Sequence, residues 1–197
     1  MGIGDCEGGL AKAQNAAVEL YQLAALMLGD KGEALSLVES TVDSVEVDPC
    51  APEGAAIEAA RHHLIETAVA RMSETDPKAF VTPAPADGAA GCIQEDDLSA
   101  AGITAAQIAD LVNGAARDGG DGDQLRNWLD QLPAVQRAIF VQRAVLGWDN
   151  GTTAASLSRG AGAKPAWSAA QVGELFRQAL CSLANALLHA EAQKVTA

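Results

Sequence analysis

His62, His63 and Glu66 lie within one helical turn and are side-chain types that bind a metal ion or relay a proton. Neighbouring positions on a helix point about 100° apart, so only one of the two imidazoles shares a face with Glu66. The group therefore reads as packing and surface. Glu95, Asp96 and Asp97, and the Gly-Gly-Asp-Gly-Asp run at 119–123, offer carboxylates to a hard cation. Neither has the spacing of a calcium loop, and both read as solvated linker. Cys6, Cys50, Cys92 and Cys181 are widely separated, with no C-x-x-C pair, so no metal is expected. Cys181 falls in an apolar helical pattern and reads as a small core residue. Trp128, Trp148 and Trp167 could stack on bases, but in a chain with 4% aromatics they read as anchors of the core. No nucleophile elbow, phosphate-binding loop or zinc-protease motif is present, so the chain is not expected to be an enzyme or to carry a cofactor.

The 197 residues are 49% hydrophobic, which excludes wholesale disorder. The formal net charge is −13, unevenly distributed. Residues 1–75 carry a net −9, residues 76–123 a net −7, and residues 124–197 a net +3. Two thirds of the chain would repel a polyanion, and only the last third could tolerate one. No apolar run approaches ~18 residues, so no membrane segment is expected. The opening Met-Gly-Ile-Gly-Asp-Cys has no basic start followed by an apolar stretch, which predicts a cytoplasmic chain with reduced thiols.

Alanine and leucine dominate the apolar fraction and favour helix. Spacing predicts a helix over 10–28 with Ala17, Tyr21, Ala24 and Leu28 on its stripe, and a second over 32–45 carrying Leu35, Val38, Val42 and Val45. A third has Ile57, Ala60, Leu64, Ile65, Ala68, Val69 and Met72 at helical spacing. Residues 76–123, rich in Gly, Pro and acid, read as a linker holding one short helix capped at Thr104 and Gln107. Beyond it, Leu125, Trp128, Leu129 and Leu132 form a short helix before Pro133, and Val135, Ile139, Phe140 and Ala144 another that ends at Gly147. A short helix follows Asp149, residues 160–165 read as a loop, and Ser168 with Gln171 caps a long final helix. The expected fold is all-α, with a helical lobe over 1–75, a linker over 76–123 and a second lobe over 124–197.

Residues 129–140, Leu-Asp-Gln-Leu-Pro-Ala-Val-Gln-Arg-Ala-Ile-Phe, resemble the opening of the C-terminal helix-turn-helix domain of bacterial sigma factors. Gly147 to Leu157 follows in that family's register, with Ala154 and Leu157 where the family places its own. The helix from Val172 would then be the recognition helix, which enters the major groove in this motif. The first lobe resembles the extracytoplasmic-function class independently. Leu20-Tyr21, Leu28-Gly29-Asp30 and residues 33–41, Glu-Ala-Leu-Ser-Leu-Val-Glu-Ser-Thr, look like its polymerase-binding helices. Residues 59–66, Ala-Ala-Arg-His-His-Leu-Ile-Glu, look like the helix that follows. The resemblance covers about three quarters of the chain, as a three-helix sigma-like bundle, a linker and a helix-turn-helix.

The resemblance implies a divergent sigma-factor-like transcription protein that binds core RNA polymerase through Leu35, Ser36, Val38 and Glu39. In the second lobe Arg143, Arg159, Lys164 and Arg177 read either as a modest phosphate-binding face for DNA or as solvated surface charges, and Gln171 reads as a helix cap ahead of a base contact. Several positions depart from the family. Ser36 and Glu39 stand where aspartate and glutamine are usual, and Gly173, Glu174 and Leu175 stand where the recognition helix usually carries cations. The alternative is a degenerate sigma-like module that binds polymerase, a regulator protein or another sigma factor without reading a promoter. A helical ligand sensor closed by residues 104–113 is a third reading.

Overall fold

A computed structural model describes residues 9–44, 54–81, 121–162 and 166–196. Helices α1 (Gly9–Leu28), α2 (Lys31–Ser44) and α3 (Ala55–Thr75) form the first group. The second comprises α4 (Asp121–Gln131), α5 (Ala134–Phe140) with its π-helical continuation Val141–Val145, α6 (Asn150–Ala161) and α7 (Ala169–Thr196). The fold is all-helical, with no strand among the described residues, and no described helix is long and apolar enough to cross a membrane. The expected helix at 104–112, the segment around Pro83 and Pro85, the acidic 95–97 run, and Cys6, Cys50, Cys92 and Lys164 lie outside the described residues.

Local chemistry sets the helix ends. Gly29 adopts a left-handed φ of 75°, and Asp30 accepts a bond from the Glu33 amide at 2.8 Å, so the chain reverses and α2 starts in two residues. Pro133 fixes the break between α4 and α5. Asp149 caps α6 by accepting from the Thr152 amide at 2.6 Å, and Gly162, at φ 59°, ends it. Helix α6 thus runs through Gly160 and Ala161, which spacing alone assigned to a loop. Likewise α4 begins at Asp121, inside the stretch expected to be linker.

The buried stripes are rotated from two of the expected ones. Helix α1 buries Leu20, Leu23, Ala24, Leu26 and Met27, leaving Tyr21 and Leu28 only half-buried. Helix α2 buries Ala34, Leu37, Val38 and Thr41, while Leu35 and Val42 stay about half exposed, at 51% and 46%. Both registers of α2 have helical spacing. The one that turns inward presents small Ala34 and the self-satisfied Thr41, whose hydroxyl donates to the Leu37 carbonyl at 2.8 Å. The stripe of α3 is buried where spacing put it, from Ala60 to Met72.

The two groups of helices share one apolar core. Helix α3 packs extensively on α6, with a further contact to α5. Gly160 is the point of closest approach. A Cβ there would lie 2.7 Å from the Glu66 carbonyl oxygen and 2.8 Å from Val69 Cβ, so α6 can rest on α3 only without a side chain at that position. The α1–α2 turn makes a second junction, where a Cβ on Gly29 would meet the Asp130 carboxylate at 3.0 Å and the Arg137 guanidinium at 3.2 Å. Burial lowers the Arg137 guanidinium from its ordinary pKa, and the charge of Asp130 opposes that shift.

Because the core is continuous, unfolding is expected as one cooperative transition, coincident by far-ultraviolet circular dichroism and tryptophan fluorescence. Leu64→Ala, at a fully buried position, should lower stability by about 2–5 kcal/mol without splitting the transition, as read by urea denaturation.

Candidate functional site

Two surfaces bear on function. The first is the outer face of α2. Leu35 and Val42 lie two turns apart on an exposed face with Ser36 and Glu39, and Glu33 and Asp43 are also exposed on this helix. The surface is an apolar pair with an acidic surround. Val38, which the resemblance placed among the docking residues, is 6% exposed and belongs to the core. The surface is therefore built from Leu35, Ser36, Glu39 and Val42.

The second surface is the helix pair α6–α7, joined by residues 162–168. This connector exceeds the ~3–4 residues of a tight helix-turn-helix turn. It is pinned by Trp167, whose ring is buried and whose amide donates to the Ser158 hydroxyl at 2.9 Å. Ser168 and Gln171 form a reciprocal capping box: the Gln171 amide donates to Ser168 Oγ at 3.3 Å, and the Ser168 amide donates to Gln171 Oε1 at 2.9 Å. Gln171 is thus committed to starting α7. Val172, Leu175, Phe176, Ala179 and Leu180 face the core. The first two turns of α7 expose Ala169 and Ala170 and leave Gly173 and Glu174 half-buried, with no cation. Gly173 lies against the Asn150 side chain, 3.1 Å from where its Cβ would be.

The described arginines assigned to DNA are engaged within the protein. Arg177 pairs with Glu174 one turn earlier, and Gln178 donates to the other Glu174 oxygen at 3.0 Å. Arg143 donates to the Trp148 carbonyl and lies over the Phe176 ring, 5.0 Å from its centroid. Arg159 donates to Glu66 of α3 at 2.6 Å. Lys164 lies outside the described residues. Arg61, on α3, bridges Glu58 and Glu19. Phosphate contacts dominate duplex affinity, so cations already paired with carboxylates supply little of it. The pair of Arg159 and Glu66 is solvent-accessible, with side chains 54% and 29% exposed, and such a pair is worth only about 0.2–1 kcal/mol.

The aromatic and polar residues of interest have structural partners. Trp128 donates to Ser182 Oγ at 3.0 Å and meets Phe140 edge to face. Trp148 stacks on His62 with centroids 4.2 Å apart and planes 16° from parallel. His63 is exposed, so the imidazoles diverge as the helical geometry requires. Among the described residues, no three His, Cys, Asp or Glu side chains converge as a metal site. Cys181 is half-buried and disulfide-bonded, which corrects the expectation of a reduced thiol.

Spacing did not anticipate the polar interior beside the π-helical segment. Gln142 is fully buried, and neither of its side-chain polar atoms has a partner among the described residues; the Thr153 and Ser156 hydroxyls share that state. The π geometry, with the Leu146 amide bonded to the Val141 carbonyl at 3.1 Å, accompanies this inward glutamine.

Compared with known proteins, the chain matches no family model, no curated protein and no solved structure. The functional reading therefore rests on the residues and their arrangement.

The Thr152 amide holds the Asp149 carboxyl below its ordinary value. A depressed native pKa stabilises the fold fully above the unfolded carboxylate value of ~3.9, and this contribution is lost as pH falls through the native value. Asp149→Asn keeps a capping oxygen without the titration. Its acid unfolding, followed by circular dichroism, should be less steep through that window than the wild type's.

Proposed function

We propose that this chain is a divergent sigma-factor-like transcription protein that docks on core RNA polymerase through the outer face of α2. The single observation that carries this reading is the solvent-facing Leu35 and Val42 beside Ser36 and Glu39, on the helix whose sequence resembles the family's polymerase-binding element. Nothing else in the described fold covers that apolar pair. Burying it against a partner would remove the exposed halves of two large side chains from water, each worth about half of the ~1.5–3 kcal/mol of a full burial. The second helix group supplies the order of elements that the family uses for upstream-promoter recognition, with α6 supporting α7.

A second reading is favoured by a specific observation. Glu174 occupies the outward face of α7 and neutralises Arg177. On this reading the protein is an interaction module that holds polymerase or a regulator protein and does not read a promoter. Both readings place the primary contact on α2, and they differ in whether the last helices meet DNA.

The test is capture of purified core RNA polymerase on immobilised full-length protein. Wild type should retain the enzyme, and Leu35→Arg should reduce retention at least about tenfold while leaving the melting temperature within a few degrees, because the side chain is exposed. Equal retention by the wild type and Leu35→Arg would remove α2 from the interface, and no retention by the wild type would end the polymerase reading.

A further inference from the structure

The junction of α3 with α6 joins the two parts of the chain that a sigma-like protein would direct at separate targets. Two positions one turn apart on α3, His62 and Glu66, engage opposite ends of α6. His62 stacks on Trp148, just before the Asp149 cap, and Glu66 receives the Arg159 guanidinium in the last turn. Between these, Gly160 rests directly on the α3 backbone.

We propose that this junction is an intramolecular clasp that keeps the α6–α7 unit from binding duplex nucleic acid, with Glu66 standing where a backbone phosphate would otherwise pair with Arg159. The inference rests on reading α6–α7 as a helix-turn-helix. Charge balance also bears on the clasp. Residues 1–75 carry a net −9, and the junction brings part of that segment against a unit whose segment carries only +3. The Debye length is about 8 Å at physiological salt, so the Glu66 carboxylate at the junction repels an approaching polyanion, whereas carboxylates of a separated bundle would be screened from it. Arg159 is also the candidate cation that opening releases. Arg177 is bound to Glu174 on its own helix, and Arg143 is bound to Trp148 and Phe176 within the second group. Those contacts do not involve α3.

The experiment measures fluorescence anisotropy of a labelled mixed-sequence DNA duplex with the full-length protein. Wild type, Glu66→Gln, Gly160→Ala and the double variant Glu66→Gln with Arg159→Gln are compared at low salt. Glu66→Gln should tighten binding about three- to tenfold, with the gain disappearing between about 50 and 200 mM salt and absent from the double variant. Gly160→Ala forces a Cβ against the α3 backbone, so it should separate the helices, enlarge the radius of gyration in small-angle scattering and tighten binding at least as much. Where Gly160→Ala fails to fold, Glu66→Gln alone decides, since its side chain is partly exposed. Duplex binding by Glu66→Gln no tighter than wild type, or a gain that survives Arg159→Gln, overturns the clasp. Polymerase capture is scored separately, so no capture by the wild type beside a gain in duplex binding by Glu66→Gln ends the polymerase reading and leaves the clasp standing.

Discussion

The absence of a side chain at Gly160 is the constraint through which the two helix groups become one body. With 2.7 Å between its hypothetical Cβ and the Glu66 carbonyl oxygen, there is no distance at which α6 could carry even alanine there and keep its present seat on α3. Close seating lets Val69, Leu157 and Ala154 join one core, and it brings Trp148 onto His62 and Arg159 onto Glu66. The ion pair contributes little by itself because both partners are wet. Apolar burial across the junction is the larger effect, so the polar contacts select the alignment of the helices more than they hold them together.

That arrangement changes what the basic residues can do. A helix-turn-helix unit binds a duplex through cations directed outward, and here the described arginines near the unit turn back to a carboxylate, a carbonyl or a ring. The face of α7 that would enter a groove offers small residues and Glu174 before its first arginine. The outer face of α2, by contrast, leaves leucine and valine in water beside acidic side chains. Among the described residues the exposed large apolar side chains lie in the first group or directly after it, whereas paired charges occur in both groups.

Helix type and order followed from composition and spacing, because alanine and leucine at three- and four-residue intervals leave an amphipathic helix as the only way to bury an apolar face. The capping oxygens of Ser168 and Asp149 were readable for the same local reason, as was the break at Pro133. Information of longer range was not. In α2 two overlapping stripes satisfy the same spacing, and only packing against α1 and α3 chose Ala34, Leu37, Val38 and Thr41 over the register containing Leu35 and Val42; Val38 lies in both stripes and is core, not docking surface. Gly160 looked like the start of a loop because glycine weakens an isolated helix, and its neighbour across space, not its neighbours in the chain, explains why the helix continues. Charge counts along the chain established that the last third is mildly basic, but whether an arginine meets solvent or a carboxylate on a distant helix depends on contacts such as that of Arg159 with Glu66, separated by 93 positions. Pairings of that kind carry no periodicity, so they come into existence only when the helices pack.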